Sequence, residues 1–493
     1  MCNSKAAFTS TASATTTTPI TVDLVIYARH VIPVVPSNVV LANHAVVVLK
    51  SCIVDLLPRA AVKTKYAPRE ECDLLDHILI PGLVNAHSHA AMNLLRGFSD
   101  DKPLCDWLMQ DIWPAESKFV SPAFVRDGAT HAAAEMIRGG TTCCNDMYSF
   151  PGDAAEAFEM IGLRAMVRAV IEFPRANGIE SDTCFRRARA MIAQFKNHPT
   201  IRVTVAPHAP YTVSEASLVQ MDALSREHDV PIHIHLHETV AECDDSERQH
   251  KASMSCHLSD APLRPLANLQ RLGLLSDRVI AVHMTQLTDA EIAHVAAAGT
   301  SVVHCPSSNL KLASGVCPVS KLMAAGVNVA IGTDGAASNN SLNMFAEMKL
   351  AAILARVESK QSTSVPAAVA LQMATLNGAR ALSLGDEIGS IEVGKRADLV
   401  AIACDNIEMI PMYDPISHVV YVAGREQYVH RASSGLATTS WLTFVCVFSV
   451  SDVWVNGRQV LASRELTTVK EADIKQRVRR WHAAIRDYHN ELR

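Results

Sequence analysis

Between residues 78 and 384 the chain repeats one pattern. A short β-branched or apolar run closes on a polar residue, and an Ala/Leu/Glu/Arg-rich stretch compatible with helix follows. The runs cover residues 83–89, 141–147, 164–173, 201–208, 231–238, 279–285, 301–309 and 328–334. Strands alternating with helical stretches predict a parallel sheet, and eight such units predict an α/β fold of the closed (β/α)8 type over residues 81–385. In such a barrel the reactive side chains sit where the strands end, facing the open mouth. Polar residues fall at those ends: His87 and His89, Asp146, Arg168, His208, His235 with Glu238, His283, His304 and Asp334.

The chain ends carry a different rhythm. Residues 22–26, 45–49 and 52–56 read as short strands with no helical pattern between 20 and 80, and 386–470 looks similar. There Asn456-Gly457, next to the apolar run 453–455, is a hairpin signal. A small composite β-sandwich built from both ends is expected, followed by an amphipathic helix over 471–493. Residues 1–19 form a Ser/Thr/Ala-rich tail read as disordered. Two stretches interrupt the scheme. One, near 243–265, includes His250, Cys256 and His257 and reads as an irregular surface insertion. The other, 425–448, splits the C-terminal β segment.

Composition narrows the function classes. Of 493 residues, 45 are Lys or Arg and 50 are Asp or Glu, so the net charge of −5 offers no electrostatic case for nucleic acid or an anionic membrane. Thirteen cysteines are scattered without framework spacing, as expected in a reducing compartment. No run approaches the roughly 18 apolar residues of a membrane helix. A cytoplasmic protein acting on a small molecule is expected, and a homo-oligomer is compatible with it.

His87 and His89 lie two apart on a strand, hence on one face, with Cα atoms about 7 Å apart, and can close on one metal ion. His233, His235 and His237 alternate along another strand and are expected to share one face; any of them could supply a third imidazole. Glu238 follows at once as a proton carrier. His237-Glu238 lacks the second histidine of a zinc-protease helix, and the Pro-Cys-x-x-Cys of cytidine deaminases is absent. Asp334, at the end of the eighth run, could cap the following helix or add a hard oxygen to three nitrogens. His283 and His304 could be core histidines, His283 being the stronger functional candidate, and Asp146 reads as structural.

Residues 81–97 (PGLVNAHSHAAMNLLRG), 206–215 (APHAPYTVSE), 233–242 (HIHLHETVAE), 304–315 (HCPSSNLKLASG) and 332–344 (GTDGAASNNSLNM) together resemble the amidohydrolase superfamily, in particular its 5′-methylthioadenosine/S-adenosylhomocysteine deaminases. The resemblance spans roughly residues 20–480. It implies metal ligands at His87, His89, His235 and Asp334, with His235 chosen because it lies three residues before Glu238. It implies substrate contacts at Glu116, Arg168 and His208, and a base-stacking role for Trp107. The implied cofactor is one divalent ion, zinc before iron or manganese. The implied reaction attacks C6 of adenine with metal-activated water. Glu238 protonates the ring nitrogen, Asp334 passes the water proton to the departing ammonia, and His283 steadies the oxygen at the attacked carbon. Two other functions are compatible with this framework. One is hydrolysis of another heterocyclic C–N or C–Cl bond, of the s-triazine or guanine kind. The other is a non-catalytic scaffold, against which the full ligand set argues.

Overall fold

The structure is a computed structural model that describes residues 18–169, 181–253, 263–424 and 450–491. The end of the run at 164–173, Cys256 and His257, the segment 425–448 and nearly all of the N-terminal tail lie outside the described residues.

Eight strands form where the eight runs stand. After four strands of the N-terminal region, they are β5 (Leu83–Ser88), β6 (Thr141–Asp146), β7 (Arg164–Arg168), β8 (Ile201–Thr204), β9 (Ile232–Leu236), β10 (Val279–His283), β11 (Ser301–His304) and β12 (Val329–Ile331). Every residue of these strands is buried except the half-buried Arg202. That is why apolar and β-branched residues recur along them without the alternation of a one-sided strand: a parallel strand covered on both faces has no solvent side. The strands pair in parallel as two arcs, β5-β6-β7-β8 and β9-β10-β11-β12. One seam between the arcs is joined by the Val205 amide to the Pro231 carbonyl and the His233 amide to the Val205 carbonyl, both at 2.9 Å. At the other, the Asp334 amide donates to the His87 carbonyl at 3.0 Å. The barrel is closed, and the same bonds hold Asp334 against His87.

The two chain ends build one eight-stranded sheet. The N-terminal strands are β1 (Ile20–Val31), β2 (Leu41–Leu49), β3 (Cys52–Pro58) and β4 (Tyr66–Pro81). The C-terminal ones are β13 (Leu399–Ala403), β14 (Val450–Val455), β15 (Arg458–Ala462) and β16 (Glu465–Leu466). Their order is β16-β15-β14-β13-β4-β1-β2-β3. The sheet curls into a sandwich: Val46, Val48 and Ile53 share a core with Leu399, Ala401 and Trp454, and Ser51 and Ala397 are joined backbone to backbone. Asn456 (φ 53°) and Gly457 (φ 78°) turn the β14–β15 hairpin, both in the left-handed region that a type I′ turn demands.

Three local expectations are corrected. A helix, Arg59–Lys65, interrupts the stretch read as purely strand. The sixteen-residue β4 was not visible because Pro68 and the charged Arg69-Glu70-Glu71 fall in its exposed part; its last four residues alone are continuously buried. The insertion near 243–265 is not irregular at its start, since the helix Val240–Ser253 runs into it.

The C-terminal helix Glu471–Glu491 packs on the barrel helix Pro122–Arg138, the Trp481 indole donating to Asp127 at 2.9 Å. No helix among the described residues is long and apolar enough to cross a membrane. The barrel and the sheet are tied by a buried ion pair. Arg164, at the start of β7, meets Asp398 in a two-pronged contact at 2.9 and 3.0 Å, and Asp398 also accepts the Asn456 amide. Removing one partner strands the other charge in the interior. Asp398→Ala is therefore expected to destabilise the protein by about 3–5 kcal/mol; an unchanged thermal midpoint would contradict this account of the junction.

Candidate metal centre and active site

His87 and His89 stand at the end of β5, and their imidazoles are fixed by bonds that decide which nitrogen faces inward. His89 Nδ1 donates to the Met147 carbonyl at 2.6 Å, and His235 Nδ1, from β9, donates to the His208 carbonyl at 2.7 Å. His87 Nδ1 lies 2.9 Å from His233 Nε2. The carbonyl partners leave the Nε2 atoms of His89 and His235 as acceptors, and His87 Nε2 is aimed at the same point. His235 Nε2 is 3.3 Å from His87 Nε2. Asp334 Oδ1 lies 3.3 Å from His87 Nε2 and 3.2 Å from His89 Nε2.

Burial lowers the pKa of all three rings, that of His89 to about 4, so they are neutral at pH 7. Three neutral imidazoles and a carboxylate oxygen converging on one point form an electron-rich pocket that fits a divalent cation. Two nitrogens bound to one ion at about 2.1 Å and a near-tetrahedral angle would stand about 3.4 Å apart, which matches the His87–His235 spacing.

Asp334 is not a helix cap: the following short helix, Ala336–Asn339, starts at Gly335 without a side-chain cap. Instead Asp334 Oδ2 accepts from Ser308 (2.6 Å) and Ser338 (3.0 Å), which turns Oδ1 toward the histidines. Gly332 makes the approach feasible, because a Cβ there would lie 2.8–3.0 Å from the Cβ, N and O of His87.

The three alternating histidines do not share one face. β9 ends at Leu236, and His237 adopts φ 52°, which swings its ring away. Its Nδ1 contacts the Gln286 carbonyl at 3.1 Å and its Nε2 accepts the Leu266 amide at 2.9 Å. His233 keeps the inward face but sits behind His87. Thus His235, of the three, reaches the cluster.

The same turn sends Glu238 inward. Its carboxylate lies 3.7 Å from His283 Nε2 and 3.4 Å from Ser314 Oγ, and burial raises its pKa. His283 Nδ1 donates to Asn309 Oδ1 at 2.7 Å, leaving Nε2 as an acceptor toward Glu238 and Asp334. His208, whose ring centre is 4.9 Å from that of His235, contacts Thr212 Oγ1 through Nδ1 at 3.0 Å.

A second buried cluster adjoins this one. Tyr148 donates to Glu116 at 2.6 Å, and the fully buried Arg168 interacts electrostatically with Asp146, Glu116 and Tyr148. Burial raises Glu116 and Asp146 to about 7 and lowers Arg168 to about 9. Asp146 also accepts the Ala90 amide, and the Arg168 Nε has no hydrogen-bond partner among the described residues. Trp107, in a π-helical turn (Trp107–Ile112), is buried with its indole donating to the Ser99 carbonyl. His304 is buried outside the metal-capable groups.

Residues 78–460 match the amidohydrolase family. This chain belongs to it. The amidohydrolase is 39% identical over 466 residues to a protein of Teredinibacter turnerae named 5-methylthioadenosine/S-adenosylhomocysteine deaminase, covering 94% of this chain and 98% of that one. It is 46% identical to a solved adenosine deaminase from Xanthomonas campestris with bound zinc, with a TM-score of 0.87 over 95% of this chain and all of that one. An atrazine chlorohydrolase from Arthrobacter aurescens shares the fold, with 20% identity and a TM-score of 0.77 over 93% of this chain and all of that one.

Sequence reasoning overlooked three contributors to this amidohydrolase's site. Ser308 acts on Asp334 from another strand end and leaves no local signal, and Ser338, four residues on in the following short helix, reads as an ordinary helix residue. Glu242 did leave one: Thr239-x-x-Glu242 is a capping-box spacing at a helix start.

Proposed function

We propose that this amidohydrolase is a deaminase of 6-aminopurine nucleosides, converting 5′-methylthioadenosine, S-adenosylhomocysteine or adenosine to the inosine-type product and ammonia in the cytoplasm. The reading rests on one observation above all: the convergence of His87, His89 and His235 Nε2 with Asp334 Oδ1 beside Glu238 and His283. The names carried by its relatives at 39% and 46% identity support the substrate class. His87, His89, His235 and Asp334 would hold one divalent ion, zinc by preference. Bound there, the ion supplies Lewis acidity that makes water available as a nucleophile near neutral pH.

The protein groups divide the proton work. Glu238, biased by burial toward its protonated form, gives a proton to the ring nitrogen beside the attacked carbon, so negative charge does not accumulate as aromaticity is lost. Asp334, steadied by two serines on Oδ2, takes one proton of the attacking water and hands it to the departing amine, and the second water proton, left on the hydroxyl at that carbon, returns to Glu238 as the carbonyl forms. His283, its tautomer set by Asn309, accepts a hydrogen bond from the oxygen at that carbon. His208, Glu116 and Arg168 contact the base and ribose, and Trp107 stacks on the base. The paired acidic and basic groups of Glu116, Asp146 and Arg168 give this end of the site polarity suited to hydroxyls.

The test is ammonia release from the zinc-loaded enzyme across adenosine, methylthioadenosine, S-adenosylhomocysteine, guanine and s-triazines. Turnover of at least one 6-aminopurine nucleoside is expected, well above guanine and the triazines. No turnover of any such nucleoside sinks the reading.

A further inference from the structure

Glu242, buried in the first turn of the helix Val240–Ser253, is not used by the reaction described above, yet its carboxylate reaches the residue that is. Glu242 Oε2 accepts the Glu238 amide at 2.6 Å, and Oε1 accepts the His237 amide at 3.1 Å. In a capping box the glutamate bonds the amide of the capping residue itself. Here Thr239 Oγ1 does accept the Glu242 amide at 3.1 Å, but the carboxylate reaches past Thr239 to the two residues before it.

Those two residues make the turn on which the site depends. His237 is a non-glycine residue in the left-handed region, a conformation that costs free energy and persists only where neighbours enforce it. From the other side Thr285 enforces it too: its hydroxyl donates to the Glu238 carbonyl at 2.6 Å and its amide to the His237 carbonyl at 3.0 Å. The backbone of the 237–238 step is thus clamped through both its amides and both its carbonyls, and the Glu238 side chain leaves that clamp toward His283.

We infer that Glu242 is a positioning residue, whose carboxylate holds the strained His237–Glu238 turn so that the Glu238 carboxyl stands where it delivers its proton. The inference rests on Glu238 being the proton carrier. Without Glu242 the two amides lose their acceptor, the turn relaxes, and Glu238 shifts relative to the substrate. A displacement of about 1 Å in a reacting group is enough for a roughly 100-fold loss of rate.

The experiment is a double-mutant cycle on the metal-loaded enzyme, with kcat, KM and metal content measured for wild type, Glu242→Ala, Glu238→Gln and the double variant. The expected result is that Glu242→Ala lowers kcat about 100-fold, leaves KM and metal content near wild type, and adds almost nothing in the Glu238→Gln background. A residue acting only through another has nothing left to lose once that other is disabled. An equal loss in both backgrounds would mean general structural damage, and an unchanged kcat would mean no positioning role; either overturns the inference. Should Glu242→Ala prove insoluble, Glu242→Asp is read by the same criterion, since it keeps the charge but falls short of the two amides. If Glu238→Gln itself retains kcat, the role given to Glu238 fails instead, so the two failures are separable.

Discussion

Purified His235→Ala protein will bind zinc at least about 100-fold more weakly than wild type, because losing a ligand costs no less than losing a group that merely orients one. Its kcat/KM will fall by more than about 10³-fold with the loss of the Lewis acid. His235 presents Nε2 because its Nδ1 is committed to the His208 carbonyl, and neither neighbouring histidine can replace it: His233 is turned to the back of His87, and His237, just past β9, faces Leu266 and Gln286. His237→Ala is the matched control and should keep a full complement of metal. Metal analysis after dialysis, paired with thermal midpoints in the presence and absence of zinc, reads both variants. Full stoichiometry in His235→Ala, or metal loss confined to His237→Ala, would show that the cluster has been assigned to the wrong imidazole.

Glu238→Gln should separate proton transfer from metal binding. Glutamine fills the same volume and can still accept from Ser314, but it has no proton to give to a ring nitrogen. The expected outcome is a fall in kcat of about 10²–10⁴-fold, the usual weight of a positioned acid or base, with zinc content unchanged and KM within a few-fold of wild type. The lesion therefore differs in kind from that of His235→Ala, where activity and metal disappear together. A Glu238→Gln enzyme within tenfold of wild type would place the proton carrier elsewhere.

The eight barrel strands could be read from the chain because burial on both faces favours apolar and β-branched side chains along most of each strand, and that constraint is local. The polar residue closing each run was legible for the same reason, since a charged or imidazole side chain is tolerated only where the strand emerges. His87, His89 and Asp334 were therefore visible one at a time. β4 was hidden because most of it is exposed or only half-buried, so its charged residues carry no penalty and leave no pattern. The helix at Arg59–Lys65 is two turns long and buries only Val62, too little for a periodicity to emerge.

Choosing among His233, His235 and His237 lay beyond any strand rule, which assumes regular backbone and places all three on one face. His237 is removed by a single dihedral, enforced by Glu242 and Thr285 from different elements, and His233 by its place behind His87. The Asp334 oxygen that faces the histidines is likewise selected by serines 26 residues before it and four after. Local order imposed by solvent exclusion is written into consecutive residues; the direction of one side chain at a strand end is fixed only once partners such as Ser308 and Thr285 are brought within reach by chain closure.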